Sequence, residues 1–498
     1  MKVLFVWPEY RITGFKPISI SLLSGILRQE GHETKLFDTS IYDIPVSGRD
    51  DDKDTAEDMM VFPRADLPRN YETKHRRNFI VSFNNILSEY MPDIVAFSSS
   101  TLPYILVEKL VKGIDIERRP ALAIGGIHTL FNTEKIVNSN MFDYIVLGDG
   151  EAAILEIIEH LKGERKVSEL HNVIVREDDE WISNKPAPLI PDLDKLPFYD
   201  WSIFDNEYHF WRPYQGVAYR MGDFMTARGC TYKCKFCFYD NYFKFYNTEK
   251  RMRYHSAERC VSELAELSTR YNIKFWKFHD SDFFLRKEEE FGELMELYKT
   301  RIDLPFVCLT NANTITREKI KMVKDAKCKS ITIGIESGSE KIRKGVLKKN
   351  VSNDRIVESV KIIKEAGIRV STSNMIGLPE ETEGDIRETI KLNRLVASDL
   401  ADVNYFYPFC GTELGDKCYQ NGYVKDHSQE LMSIRNAYVM EMPQISLETL
   451  EGLYRTFQLY MNLPEYLDPL IRLAEDHDNT GNKVFEILHD IVMDKLNE

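Results

Sequence analysis

Cysteine is scarce in this 498-residue chain, eight in all, and their positions do not form the regular spacing of a disulfide framework. Long apolar runs are missing as well. No stretch approaches the ~18 residues that a membrane helix needs, so no spanning segment is expected. A positive balance is also absent: 65 Lys and Arg stand against 79 Asp and Glu, a formal net charge of -14. That argues against a broad grip on nucleic-acid phosphates. The opening residues, Met1 to Trp7, are apolar only until Pro8 and Glu9, too short for a secretory signal. A first buried strand and a cytoplasmic protein are the expectation. No long repeat or low-complexity tract breaks the chain, and at ~150 residues per domain its length predicts two or three domains.

What is present is an alternation of strand and helix. Strands are expected at 2–7, 33–37, 94–98, 121–124 and 144–147, with a helix over 19–30 whose Leu22, Leu23, Ile26 and Leu27 share a face. Such alternation implies a parallel, doubly wound sheet over residues 1–160. The stretch 47–54, Ser-Gly-Arg-Asp-Asp-Asp-Lys-Asp, reads as a charged loop or insertion. Residues 161–218 hold a hairpin-like pair, 172–175 and 181–183, and the Pro-rich Lys185-Pro186-Ala187-Pro188, taken together as an interdomain linker. A second series starts at 223–226 and continues with strands at 274–278, 306–310, 330–335, 369–375 and 403–407. Six strands with helices between them fit a (β/α)6 partial TIM barrel over 219–411, followed by a mostly helical region, 412–498. Active sites of barrels lie at the carboxyl ends of the strands.

Three cysteines stand together at that end of the first barrel strand, in Arg228-Gly229-Cys230-Thr231-Tyr232-Lys233-Cys234-Lys235-Phe236-Cys237. Thiolates are the usual ligands of iron-sulfur clusters, and three of them on a four-iron cubane leave one iron open for chemistry. A structural zinc site wants four closed ligands, and the nearest further candidate, His255, is far along the chain. No second cysteine-rich block suggests an auxiliary cluster. The triad resembles the signature of the radical S-adenosylmethionine (SAM) superfamily. There the open iron of a [4Fe-4S] cluster chelates SAM, and reductive cleavage yields a 5'-deoxyadenosyl radical.

The resemblance implies roles for residues at later strand ends. Phe236 matches an aromatic that packs near adenine. In Phe278-His279-Asp280-Ser281-Asp282-Phe283, Asp280 is expected to meet the SAM ammonium, with Asp282 in reserve; without the resemblance, Asp-Ser-Asp after a strand is an N-cap. Glu336 and Ser337 match the ribose-binding segment, and Asn374, Ile376 and Gly377 the segment that packs against adenine.

The first domain resembles the cobalamin-binding domain fused to one branch of this superfamily. Its ligand-edge loops are Ser98, Ser99, Ser100 and Thr101; Gly125, Gly126 and His128; and Gly148, Asp149, Gly150 and Glu151. Glycines there let backbone approach a bulky ligand. No Asp-x-His-x-x-Gly segment follows the first strand, which implies a cobalamin without a histidine below the cobalt. A domain that binds no cofactor is the alternative.

The fold expectation is therefore α/β: an N-terminal Rossmann-like cobalamin-binding domain, a partial barrel and a helical C-terminal region. The family implies an enzyme that methylates an unactivated carbon, or phosphorus, of a small metabolite, with an external electron donor such as flavodoxin or ferredoxin. Ring contraction, cyclisation or coupling with the same cofactors, and a non-catalytic iron-sulfur redox or scaffold protein, are the alternatives. Tyr405, Tyr407 and Cys410, at the sixth strand's end, are the candidate catalytic residues.

Overall fold

The computed structural model describes residues 1–10, 16–44, 78–117, 119–178, 180–204, 209–424 and 438–497. The charged stretch 47–54 lies outside the described residues.

The first sheet contains β1 (Lys2–Trp7), β2 (Glu33–Asp38), β3 (Ile94–Ser98), β4 (Ala121–Gly125), β5 (Tyr144–Val146), β6 (Val173–Glu177) and β7 (Glu180–Ser183), in the order 2-1-3-4-5-6-7. Strands β1 to β5 pair in parallel and β6 and β7 antiparallel. Val3, Leu4, Phe5 and Val6 of β1 are at most 1% exposed, as a strand covered on both faces must be. On one face lies the helix Ile18–Gln29, which buries Ile20, Leu22, Ile26 and Leu27. The order 2-1-3-4-5 reverses direction between β1 and β3, and ligands of such sheets bind beyond the carboxyl ends at that switch.

The second sheet runs β16-β15-β14-β13-β12-β9-β8, where β8 is Trp211–Tyr214, β9 Val217–Phe224, β12 Phe275–Phe278, β13 Phe306–Thr310, β14 Cys328–Glu336, β15 Arg369–Ile376 and β16 Leu400–Tyr405. All pairs from β9 to β16 are parallel, and β8 adds an antiparallel edge. The short ribbon β10 (Ala227–Gly229) and β11 (Met252–Tyr254) flanks the cysteine loop. Burial alternates along the strands. Val370, Thr372, Asn374 and Ile376 of β15 are fully buried beneath helices, while Arg369, Ser371, Ser373 and Met375 stay partly exposed. The sheet is thus a curled half-barrel with an apolar convex side and an open concave one. Four of its helices start at side-chain caps: Ser256, Thr316, Ser352 and Thr382 each accept a backbone N–H of the first turn, replacing a bond that the helix itself cannot make.

Described parts of residues 161–218, expected as a linker, pack into both sheets. The hairpin β6–β7 extends the first sheet, β8 edges the second, and Leu193, Leu196, Tyr199, Trp201 and Phe204 are buried in a core shared by Leu22 and Ile26 of the first domain and Trp276 and Phe278 of the second. The helix Leu447–Asn462 covers β16 through Leu450, Leu453 and Phe457. No helix among the described residues is long and apolar enough to cross a membrane.

Candidate active site at the facing sheet edges

The cysteine loop follows β10 because Gly229 can take φ +108°; a Cβ there would lie 1.8 Å from the carbonyl oxygen of Arg251. The loop is pinned on both flanks, with Lys235 N donating to Leu347 O at 3.0 Å and Leu414 N to Lys235 O at 3.0 Å. Burial pushes the thiols up, Cys230 to about 11 and Cys234 to about 12, with Cys237 shifted the same way. Each of Cys230 and Cys234 is also raised by the neighbouring charge of Cys237, and Lys349 opposes the shift at all three. Three half-buried thiols thus share one space and need positive charge to ionise. Among the described residues no three His, Cys, Asp or Glu side chains close on a single metal ion. The triad fits a cluster whose several irons each take one thiolate.

Lys349 is the residue that sequence reading missed. It is 7% exposed and donates to Glu336 Oε1 at 2.9 Å. Only folding brings it to the cysteines, which are more than a hundred positions away. Glu336 ends β14 at φ +67°, a conformation that costs a non-glycine residue about 1–3 kcal/mol and is concentrated at ligand sites. A carboxylate and an ammonium beside the cluster loop can meet the polar ends of a bound zwitterion.

Several expected contacts take other partners. Asp280 receives Thr226 N at 3.1 Å and Thr226 Oγ1 at 2.6 Å; it is 2% exposed, and burial pushes its carboxyl up to about 6. Asp282 receives Thr310 Oγ1 at 2.5 Å, Thr314 Oγ1 at 3.0 Å and Phe284 N at 3.1 Å. Both therefore tie strand ends together before any ligand arrives. Ser337 is fully buried and donates to Glu381 Oε1 at 3.4 Å. Asn374 is 0% exposed and accepts Asn393 Nδ2 at 2.8 Å, and Ile376 is packed under the helix Leu447–Asn462. These side chains point to the convex side, because successive residues of a strand face opposite ways. The same alternation corrects Tyr405, which stacks on Tyr454 at 4.2 Å in the helical layer. Tyr407 and Cys410 remain partly exposed beyond the strand, and Tyr407 lies against Phe409 at 4.8 Å. Gly377 O accepts Tyr438 Oη at 2.7 Å, and Phe236 lies partly buried against the cluster that includes Leu378 and Phe406.

Glu381 clamps this region: its Oε2 accepts Leu378 N at 3.0 Å, and burial pushes its carboxyl up to about 8. A carboxyl whose folded pKa lies above its unfolded value contributes stability in full below the unfolded pKa and loses it as pH rises through the folded one. Wild-type stability is therefore expected to fall relative to Glu381→Gln between about pH 4.5 and 8, and the difference to level off above that. Denaturant melts of both proteins across this range check it; parallel curves would place the ionised carboxylate inside.

The first sheet turns its ligand edge to the cysteine loop. Arg228, two residues before Cys230, pairs with Glu151 and lies 3.6 Å from Asp149. Arg253 Nη2 meets Asp149 Oδ2 at 3.0 Å, and Tyr242 Oη donates to Asp149 Oδ1 at 2.7 Å. Tyr246 Oη accepts Asp149 N at 2.7 Å, in a seat that exists because Gly148, at φ +74°, has no Cβ. Asp149 and Glu151, expected at the corrin, pair across the domains with two arginines. The other loops stay open to a ligand. Ser100 and Gly126 are exposed, Ser98, Gly125 and Gly150 partly so, and Ser99 is buried with its hydroxyl on Ser100 O at 2.8 Å. Thr101 Oγ1 and His128 Nε2 are buried with no hydrogen-bond partner among the described residues. His128 stacks on Tyr104 at 4.1 Å, and burial holds it down to about 3, so its imidazole is neutral. Orphaned polar atoms at a sheet's ligand edge are what a bound amide-bearing group would satisfy.

Residues 224–392 match the family model of the radical SAM superfamily. The chain is 24% identical over 492 residues to an uncharacterised methyltransferase of Pyrococcus horikoshii, covering 97% of this chain and 96% of the relative. It is 25% identical over 448 residues to the cytidylyl-2-hydroxyethylphosphonate methyltransferase of Streptomyces wedmorensis, covering 82% and 78%. The fold matches that of the radical SAM methyltransferase TsrM of Kitasatospora setae, solved with cobalamin and a [4Fe-4S] cluster bound, at a TM-score of 0.67 and 14% identity over 100% of this chain and 99% of that one. With its three cysteines at the mouth of a half-barrel, and that barrel matched to the family model over residues 224–392, the chain carries a radical SAM domain.

Proposed function

We propose that the chain is a cobalamin-dependent radical SAM methyltransferase of a small molecule. One observation carries the reading: the Arg228, Arg253, Tyr242 and Tyr246 contacts to residues 148–151 hold the ligand edge of the first sheet directly against the cysteine-bearing mouth of the second. A reaction that draws on two cofactors needs their sites face to face. When bound, a [4Fe-4S] cluster with SAM supplies a hydrogen-abstracting radical and a cobalamin supplies the methyl group.

The chain's own residues place and shield these groups. Cys230, Cys234 and Cys237 hold the cluster, and Glu336 and Lys349 lie beside it for the polar groups of SAM. Thr101 and His128 offer unsatisfied polar atoms to a corrin's amides at the switch edge. Tyr239, Tyr242 and Phe243 follow the loop as a packed aromatic group, Tyr239 stacked on Phe243 at 5.8 Å and edge-on to Tyr242 at 6.1 Å, a surface suited to shielding the mouth from water.

Protein supplied with hydroxocobalamin and reconstituted without oxygen is expected to keep about one equivalent of cobalamin through desalting, and to form 5'-deoxyadenosine and S-adenosylhomocysteine from SAM under reduction. Retained cluster without retained cobalamin would leave a radical SAM enzyme and remove the methyltransferase.

A further inference from the structure

The concave side of the second sheet carries a cationic cluster that the reaction so far described does not use. Tyr219, Met221 and Asp223 of β9 face the same way as their partners Arg212 of β8 and Phe275 and Lys277 of β12, because paired residues of neighbouring strands share a side. Tyr214 and Tyr219 pack on Phe275 at 4.9 and 5.2 Å and floor the concavity. Above this floor Asp223, 0% exposed, meets Arg212 Nη2 at 2.9 Å, His279 Nε2 at 2.8 Å and Lys16 Nζ at 3.3 Å.

The charges do not balance. Arg212, Lys277 and Lys16 stand against one carboxylate. Lys16 is satisfied by the carbonyls of His209 and Met221, both at 2.9 Å, and serves to lock the domains. Arg212, 9% exposed, keeps Nε without a hydrogen-bond partner. Lys277 has no hydrogen-bond or ion-pair partner among the described residues. Its side chain is exposed, yet burial lowers its pKa, with Arg212 adding to the shift. Its strand partner Asp223, which opposes the shift, is 0% exposed, so the ammonium stands on the concave side over a buried and already engaged carboxylate. A lone ammonium and an unsatisfied guanidinium N–H, side by side in a recess, are a site that lacks its anion.

We propose that this recess binds an anionic group of the substrate, a carboxylate or a phosphate, with Lys277 and Arg212 as its contacts. The inference rests on the proposed methyltransferase function, takes the open concave side of the half-barrel as its substrate chamber, and narrows the substrate to a molecule charged at one end. His279, held on Asp223, stands beside Lys277 at the same strand end and orients the bound group. The reacting part then lies toward the cysteine loop, which follows β9 and β10.

Inorganic phosphate and acetate serve as separate probes on the full reconstituted chain, read by the line widths of their own ³¹P and ¹³C resonances. Wild type is expected to bind at least one of them saturably, the Lys277→Met variant at least about tenfold more weakly, and Lys277→Arg close to wild type. Iron content and melting temperature of each variant report that the fold is intact. Phosphate alone or acetate alone identifies the group. Equal binding by wild type and Lys277→Met, or no saturable binding, overturns the proposal, and so does a loss confined to SAM affinity, which would assign the lysine to SAM. None of these readouts depends on cobalamin, so they stand apart from the test of the methyltransferase reading.

Discussion

Replacement of Cys230, Cys234 and Cys237 together by Ala is expected to remove all cluster iron after anaerobic reconstitution and, with it, all cleavage of SAM. The thiols are raised by burial, Cys230 and Cys234 also by Cys237, and Cys237 also by Glu336, so that without a metal they stay protonated and inert. Bound iron reverses that balance, because a coordinating thiol gives up its proton to the charge beside it. No other thiol is at hand: the remaining cysteines, 260, 308, 328 and 418, are buried, and Cys410 lies beyond β16. Iron and sulfide analysis with chromatography of 5'-deoxyadenosine measures both effects. Unchanged iron in the triple variant would mean that the cluster is held elsewhere.

The second large effect concerns the seam between the sheets. Arg228 to Met leaves Glu151, with 7% of its side chain exposed, without its cation, and Asp149 with Arg253 alone. Removing one partner of a buried ion pair costs about 3–5 kcal/mol, since the other charge stays desolvated. The variant is expected to melt well below wild type and to lose cobalamin retention while keeping three cysteines able to bind iron. The double change Arg228→Met with Glu151→Gln is expected to recover most of the stability, because no buried charge is then left unpaired. A single variant as stable as wild type would show that the seam is wet and that the two ligand edges are held together by something else.

Much of this molecule is legible in one dimension because local chemistry encodes it. The strands of both sheets follow from apolar runs such as Val3 to Val6 and from alternation such as that of β15, which repeat over a few residues and need no partner to be read. The cysteine triad is legible for the same reason: its three ligands lie within eight positions. The order of the strand-end motifs carried the rest of the resemblance.

Side-chain direction and long-range pairing were decided only by the tertiary structure. Tyr405 and Asn374 lie one residue from concave positions, and a shift of one turns a side chain to the other face. Asp280 and Asp282 found threonines of neighbouring strands, and Asp149 and Glu151 found arginines of the other domain, because a buried carboxylate takes the first donor that packing supplies. Lys349 beside the cysteines and Lys277 beside Arg212 are contacts across separate elements, and no local spacing records them. Sequence alone therefore determined which elements form and where the cysteine triad stands among them. The curl of the second sheet and the packing of its mouth against the first decided which charges face the chamber, since sheet pairing, unlike helical or strand periodicity, joins residues that are distant in the chain.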